Sequence, residues 1–186
     1  MKKLISSLTL ACVLGFEANL ASAQVSKPPL TYLPNRNFSS REETPSVIVL
    51  HDTEDTNLKR VLRLFRSRAF GNNAHFTIAK DGKIYQTAPL NTNAGHAGKS
   101  IFNGRKRVND FSIGIELVNK GDGKDPFTDS QYASLSRLVA WLMVRYNISW
   151  SHVTTHKDIA LPHGRKEDPR PPFSISHLKQ LVDKEL

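Results

Sequence analysis

Residues 46–52 read SVIVLHD, a short run of β-branched residues that leads into a histidine and an aspartate. Continuous apolar runs of this length are typical of buried strands in α/β proteins. We therefore predict a strand over residues 46–50, with His51 at its carboxyl end. Sheets of this class usually bind their ligands at the carboxyl ends of strands. His51 is thus the first candidate site residue.

Strand patterns recur along the chain. Residues 74–88, AHFTIAKDGKIYQTA, carry Asp81-Gly82 between two alternating runs and predict a β-hairpin. Residues 111–118, FSIGIELV, alternate apolar and polar side chains, which places Glu116 on the polar face, toward solvent or a cleft. Residues 152–156, HVTTH, predict a short strand that ends in His156.

Helix patterns separate these strands. Residues 58–67 have apolar positions at helical spacing, and their basic residues are expected on the solvated face. Residues 128–147 begin with a Thr-x-x-Gln capping box and predict the longest helix, and residues 174–186 predict a closing helix with Ser174 or Ser176 as N-cap. Together these elements predict a single α/β domain with a central mixed β-sheet flanked by helices and a cleft at the strand ends.

The N-terminal residues have the pattern of an export signal. A basic start, an apolar run and the small residues ASA before Gln24 predict a signal peptide over residues 1–23. The run is shorter than the ~20 residues of a membrane span and contains Glu17, so no transmembrane segment is predicted. A lipoprotein anchored through Cys12 is disfavoured because apolar sequence follows the cysteine. The protein is expected to be periplasmic or secreted, with an extended N-terminal arm over residues 24–45 and the main domain over residues 46–186.

Composition limits the chemistry of the exported chain. With 186 residues, the chain is long enough for one well-packed core. Cys12 is its only cysteine, so the mature chain has no disulfide and no thiol ligand. Loss of Lys2, Lys3 and Glu17 with the signal lowers the formal net charge by only one unit from +9. This positive net charge either favours an anionic partner, such as a cell-wall polymer, or only keeps the protein soluble.

His51, His156 and Asp168 form a candidate metal set. Each histidine ends a predicted strand, and Asp168 follows His156 by twelve residues in a proline-rich loop. Two imidazoles and one carboxylate are a common open zinc set that leaves a fourth position for water or substrate. The spacing alone is weak, because a histidine at a strand end is more often a structural residue.

Several motifs occur together and in order. They are VIVLHDTE, NNAHFTIAKDGKIYQ, AGHAG, NDFSIGIELVN, FTDSQYASLSRLVAWLMVRYNI and VTTHKDIALPHGRKEDPRPPF. In this order they resemble the zinc-dependent N-acetylmuramoyl-L-alanine amidases of the type 2 amidase family, which includes cell-wall recycling amidases, T7-type phage lysozyme and peptidoglycan recognition proteins. The resemblance spans residues 46 to 173.

The resemblance implies a site and a reaction. It assigns His51, His156 and Asp168 as ligands of one Zn²⁺ per chain, and Glu116 and Lys166 as the catalytic pair. The implied reaction is hydrolysis of the amide between N-acetylmuramic acid and L-alanine in peptidoglycan or muropeptides. Four further residues are predicted to contact substrate, although a structural role for the first stays open: His75, His96, Asn109 and Arg165.

The sequence departs from the family pattern at two places. The segment ALPHGRK has two more residues than the common Ala-Pro-Gly-Arg-Lys form, and Arg170 stands where glycine often follows Asp-Pro, so a different cleft shape is expected.

A non-catalytic peptidoglycan receptor is the alternative function, disfavoured because the ligand set and Glu116 are all present. Nucleic-acid binding is not predicted, because interleaved aromatic platforms and a reading motif are lacking. The protein is expected to be a monomer.

Overall fold

The computed structural model describes residues 25–34 and 37–186. The predicted signal peptide, with Cys12, lies outside these residues. The strands are β1 (Thr31–Tyr32), β2 (Ser39–Ser40), β3 (Val47–Asp52), β4 (Phe76–Ile78), β5 (Ile84–Gln86), β6 (Thr92–Asn93), β7 (Ile101–Phe102), β8 (Arg105–Lys106), β9 (Ser112–Leu117) and β10 (Val153–Thr155). The helices are α1 (Leu58–Phe65), α2 (Asp129–Tyr146), α3 (His156–Ile159) and α4 (Ile175–Glu185), with 3₁₀ turns at Val108–Phe111 and Trp150–His152.

The main sheet has six strands in the order β1-β5-β4-β9-β3-β10. β4 and β5 are antiparallel and form the predicted hairpin, while every other neighbouring pair in this sheet is parallel. The prediction of a mixed sheet flanked by helices is confirmed. β1 lies in the stretch predicted as an extended arm and adds an edge strand beside β5.

The two faces of the sheet have different partners. Because side chains alternate along a strand, Leu50 and Ile115 point to one face, where they join a core formed with α2 and α4. Val49 points to the other face and packs against Ala97, with Phe111 in the same cluster. The chain between β6 and β9 therefore covers the second face.

Helix α2 follows its predicted pattern closely. Thr128 is the N-cap, and its hydroxyl accepts from the Gln131 N–H while the Gln131 side chain accepts from the Thr128 N–H. The predicted apolar stripe is buried against the sheet and consists of Tyr132, Leu135, Leu138, Val139 and Leu142. α4 begins after Ser174, one of the two predicted caps. Within the described residues, none of the helices has the length and apolar content of a membrane span.

Candidate metal centre

Two parallel strands and a loop bring the candidate ligands to one edge of the sheet. His51 is the penultimate residue of β3, and His156 directly follows β10, the parallel neighbour of β3. Asp168 comes from the loop after α3, where its carbonyl accepts from the Lys157 N–H at 2.9 Å. All three side chains are buried. His51 and His156 thus meet because their parallel strands end together, and the loop after α3 brings Asp168, 117 positions from His51, to the same place.

The three side chains point at a common centre. Nδ1 of His51 and Nδ1 of His156 each lie 3.1 Å from Oδ2 of Asp168. One ligand atom from each residue lies within 4.8 Å of the others. Oδ1 of Asp168 is buried and has no hydrogen-bond partner in the described structure. Two imidazole nitrogens, a carboxylate and an unsatisfied buried oxygen fit a metal ion with an open coordination position.

The charge states of these groups also fit a metal ion. Burial lowers the pKa of His51 to about 4, which keeps its imidazole neutral at neutral pH. The pKa of Asp168 lies below its ordinary value although burial acts to raise it, so its carboxylate is ionised at neutral pH. A neutral imidazole and an ionised carboxylate are the forms that bind metal.

Glu116 lies beside this centre. It is the direct partner of His51 in the parallel ladder between β9 and β3, so the two side chains share a face. Burial raises the pKa of Glu116 well above its ordinary value, and the negative charge of Asp168 raises it further. Oε2 of Glu116 is buried without a hydrogen-bond partner among the described residues. The structure therefore presents an unpartnered carboxyl group beside the three ligands.

A cavity of about 250 Å³ opens over these groups. Lys166 lines it from the loop before Asp168; its positive charge adds a little to the lowering of the His51 pKa and partly offsets the rise in the Glu116 pKa, both of which are mainly due to burial. Of the residues predicted to contact substrate, His96 and Arg165 also line this cavity. The cavity thus combines a cation, a carboxyl group and a candidate metal centre.

His75 and Asn109 have other positions. His75 is fully buried, accepts from the Gly114 N–H at Nδ1 and contacts the Thr92 carbonyl through Nε2. This position does not fit the predicted substrate contact, because the ring has no exposed edge; the open alternative of a structural role fits it. Asn109 does not line the cavity, and its Oδ1 accepts from the backbone N–H groups of His96 and Ala97.

A match to a family model covers most of the chain that forms this site. The model describes N-acetylmuramoyl-L-alanine amidases and matches residues 41–171. The chain belongs to this type 2 amidase family. Members of this family resemble the chain in both sequence and fold.

Two amidase relatives illustrate the sequence likeness. The chain is 42% identical over 113 residues to the 1,6-anhydro-N-acetylmuramyl-L-alanine amidase AmpD of Enterobacter cloacae, across 59% of this chain and 58% of that protein. It is 41% identical over 105 residues to the N-acetylmuramoyl-L-alanine amidase AmiD of Escherichia coli K12, across 53% of this chain and 37% of that protein. The chain thus matches little more than half the length of the first relative.

Solved amidase structures have the same fold. A selenomethionine derivative of AmpD superposes with a TM-score of 0.74 at 31% identity, covering 86% of this chain and 97% of that one. AmiD from E. coli, in complex with anhydro-N-acetylmuramic acid-L-Ala-D-γ-Glu-L-Lys, gives a TM-score of 0.66 at 31% identity, covering 77% of this chain and 60% of that one.

Several residues that line this cavity have no motif that predicts them from the sequence. Asp52 and Glu54 line the cavity, as do Phe65 and Phe70 from α1 and the turn after it. The position of Asp52 directly after His51 could have indicated its place in the cavity. The apolar side chains of α1 have the spacing of an ordinary core-facing helix and could not. Arg170, noted as a departure from the family, has a defined place: its guanidinium lies 2.8 Å from Glu54, and its N–H donates to Asp52.

Proposed function

We propose that the chain is a zinc-dependent N-acetylmuramoyl-L-alanine amidase. It hydrolyses the amide that links the lactyl group of N-acetylmuramic acid to L-alanine in peptidoglycan or its fragments. The observation that carries this proposal is the convergence of His51, His156 and Asp168 beside Glu116, in a member of this amidase family. Retention of Glu116 together with the ligand set favours an enzyme over a receptor.

Zinc fits the ligand set better than a hard cation does. Zinc prefers nitrogen, sulfur and a few oxygen ligands in tetrahedral sites, whereas calcium and magnesium take mostly oxygen ligands. His51, His156 and Asp168 would hold the ion. When bound, zinc supplies Lewis-acid polarisation of a carbonyl and activation of a water molecule.

Glu116 is the proposed proton carrier. Hydrolysis requires a group that removes a proton from the attacking water and returns it to the departing amine of L-alanine. The carboxyl group of Glu116 lies at the same strand edge as the ligands, and its raised pKa makes the ionised form a stronger base. Its unpartnered Oε2 is available for this exchange.

Lys166 is the proposed partner of the developing negative charge. The carbonyl oxygen of the substrate becomes an oxyanion when water adds to the amide, and a positioned cation stabilises that charge. Lys166 lines the cavity two residues before Asp168, and its ammonium charge acts on Glu116 across the cavity. A cation in this cavity can stabilise an oxyanion that forms beside the candidate metal centre.

A soluble anhydro-muropeptide is the substrate to test first. The Enterobacter relative is named for 1,6-anhydro-N-acetylmuramyl-L-alanine, and the AmiD structure contains an anhydro-muramyl tripeptide. We incubate this tripeptide substrate with zinc-loaded protein and identify the products by mass spectrometry. Release of a peptide that begins with L-alanine supports the proposal, whereas binding without release supports the receptor alternative.

We further propose that the protein is exported, on the basis of the basic start, the apolar run and the ASA site before Gln24. N-terminal sequencing of protein from the cell envelope is expected to begin at Gln24. An intact Met1 on cytosolic protein would contradict export. A lipid-modified Cys12 at the N-terminus would show that the lipoprotein alternative is correct.

A further inference from the structure

Nε2 of His51, the ring nitrogen that does not face Asp168, begins a chain of hydrogen bonds. Nε2 of His51 lies 3.1 Å from Nδ1 of His96, and Nε2 of His96 lies 3.1 Å from Oγ of Ser112. The Ser112 hydroxyl donates to the Val108 carbonyl at 2.6 Å. A carbonyl can only accept, so the Ser112 proton points to Val108 and its oxygen accepts from His96.

This direction fixes the tautomers of both imidazoles. His96 carries its proton on Nε2, which leaves a lone pair on Nδ1 to accept from Nε2–H of His51. His51 then has its lone pair on Nδ1, the atom that faces Asp168. The chain of bonds thus turns the metal-binding nitrogen of His51 toward the ligand centre.

The tautomer of His156 is fixed in the same way by Ala97, the residue that follows His96. Its Nε2 lies 3.2 Å from the carbonyl oxygen of Ala97, which can only accept. Nδ1 of His156 therefore also keeps its lone pair, 3.1 Å from Oδ2 of Asp168. Two lone pairs facing one carboxylate repel each other, and a cation between them removes that repulsion.

We propose that the dipeptide His96-Ala97 is the positioning element that sets the metal-binding tautomer of both histidine ligands, so that His51 and His156 each bind the ion through Nδ1. This inference rests on the proposed zinc site. It gives His96 a role in addition to lining the cavity, since its ring supports a ligand. His96 is 7% exposed, which fits a supporting residue.

The dipeptide is itself held from two sides. Oδ1 of Asn109 accepts from the N–H of His96 at 3.2 Å and from the N–H of Ala97 at 2.8 Å. The His96 ring lies directly against Gly114 of β9, and a Cβ atom added there would overlap the ring. Asn109 therefore fixes the backbone, and Gly114 leaves space for the ring.

The cost of losing this support follows from the buried position of His51. Without an acceptor, the Nε2–H of His51 stays buried and unsatisfied, or the proton moves to Nδ1 and removes the lone pair needed by the metal. Removal of such supporting partners typically costs 10–100-fold in metal affinity. A residue that only lines the cavity would not have this effect.

The experiment measures zinc affinity by competition with a chromogenic chelator in the full chain. His96→Ala is expected to weaken zinc binding by roughly 10–100-fold. His96→Asn is the conservative variant, because its Oδ1 stands one bond from Cγ, as Nδ1 does, and can accept from His51. We expect it to restore most of the affinity. His177→Ala on α4 is the control and should match the parent, because His177 is exposed and does not line the cavity.

A second readout reports the tautomers directly. In zinc-loaded protein labelled with ¹⁵N, the histidine side-chain spectrum should show protonated Nε2 in His51, His156 and His96. A proton on Nδ1 of His96, or zinc bound through Nε2 of His51, would overturn the inference. Unchanged zinc affinity in a folded His96→Ala variant would also overturn it.

These readouts are independent of the proposed reaction. Both are taken without substrate. A parent protein that shows the expected tautomers and affinity ranking but cleaves no muropeptide would support this inference and contradict the proposed amidase activity.

Discussion

At the scale of single residues, the alternation of side chains along β9 explains why a buried carboxyl group lies beside the candidate metal ligands. Ile113, Ile115 and Leu117 point into the core, which forces Glu116 to the opposite face beside His51. The same burial that keeps water away raises its pKa. The position of Glu116 beside His51 therefore follows from the strand that buries it.

Glu116→Gln is expected to keep the zinc and the fold, because the side chain retains its size and is not one of the three ligands. The amide cannot carry the proton, so the rate of stem-peptide release should fall by roughly two to four orders of magnitude. Activity and zinc content are measured on the same sample. Glu42→Gln, at an exposed position, is the control; a Glu116→Gln rate equal to that of the control would contradict the proposed role.

Lys166→Met should likewise bind zinc but lose about 100-fold or more in rate, the scale seen when one oxyanion partner is removed. Methionine keeps most of the length of the side chain and removes its charge. Lys184→Met near the exposed C-terminus is the matched control. Parent-like turnover in Lys166→Met would show that its charge is not used.

Some of these residues could be predicted from sequence and others could not. His51, Glu116 and His156 were predicted at or near strand ends, because the apolar periods locate those ends, and the strands do bring them together. The support given by His96 could not be predicted, since its partner His51 lies 45 positions away and the contact depends on how the chain between β6 and β9 folds over the sheet. The small residues around His96 in the motif GHAG indicated only that another group could approach the backbone closely there.

At the scale of elements, long periodic segments were predictable and short ones were not. The apolar stripe and capping box of α2 gave its position to within one residue at each end. Two-residue strands such as β2, β7 and β8 have too few positions to show any period, and each is defined by its pairing with another two-residue strand. Tertiary context, rather than local sequence, determines these short strands.

Helix α2 offers a test of how much its buried stripe stabilises the fold. Leu138 is fully buried in the main core, whereas Val144 on the same helix is 54% exposed. Leu138→Ala should lower the free energy of unfolding by about 2–5 kcal/mol, because it removes apolar contacts and leaves a cavity. Val144→Ala should change it little. Denaturant unfolding of both variants measures the difference, and equal effects would contradict the assigned packing.

At the scale of the whole molecule, the candidate metal centre joins parts of the chain that are far apart. Its ligands come from β3, from the start of α3 and from the loop that leads to α4. A ligand that binds only the folded state stabilises it, by about 2.7 kcal/mol at 100 times its dissociation constant. Zinc should therefore raise the melting temperature of metal-free protein. His51→Ala should abolish this rise, and an equal rise in that variant would place the zinc elsewhere.

The most direct test of the account is the product of the reaction. Zinc-loaded protein is mixed with anhydro-N-acetylmuramic acid-L-Ala-D-γ-Glu-L-Lys, and the products are identified by mass spectrometry, with chelated protein and His51→Ala as controls. The account predicts free anhydro-N-acetylmuramic acid and an intact tripeptide that begins with L-alanine, formed only by the loaded parent. Intact substrate after incubation with folded, zinc-loaded protein, or cleavage at another bond, would contradict it.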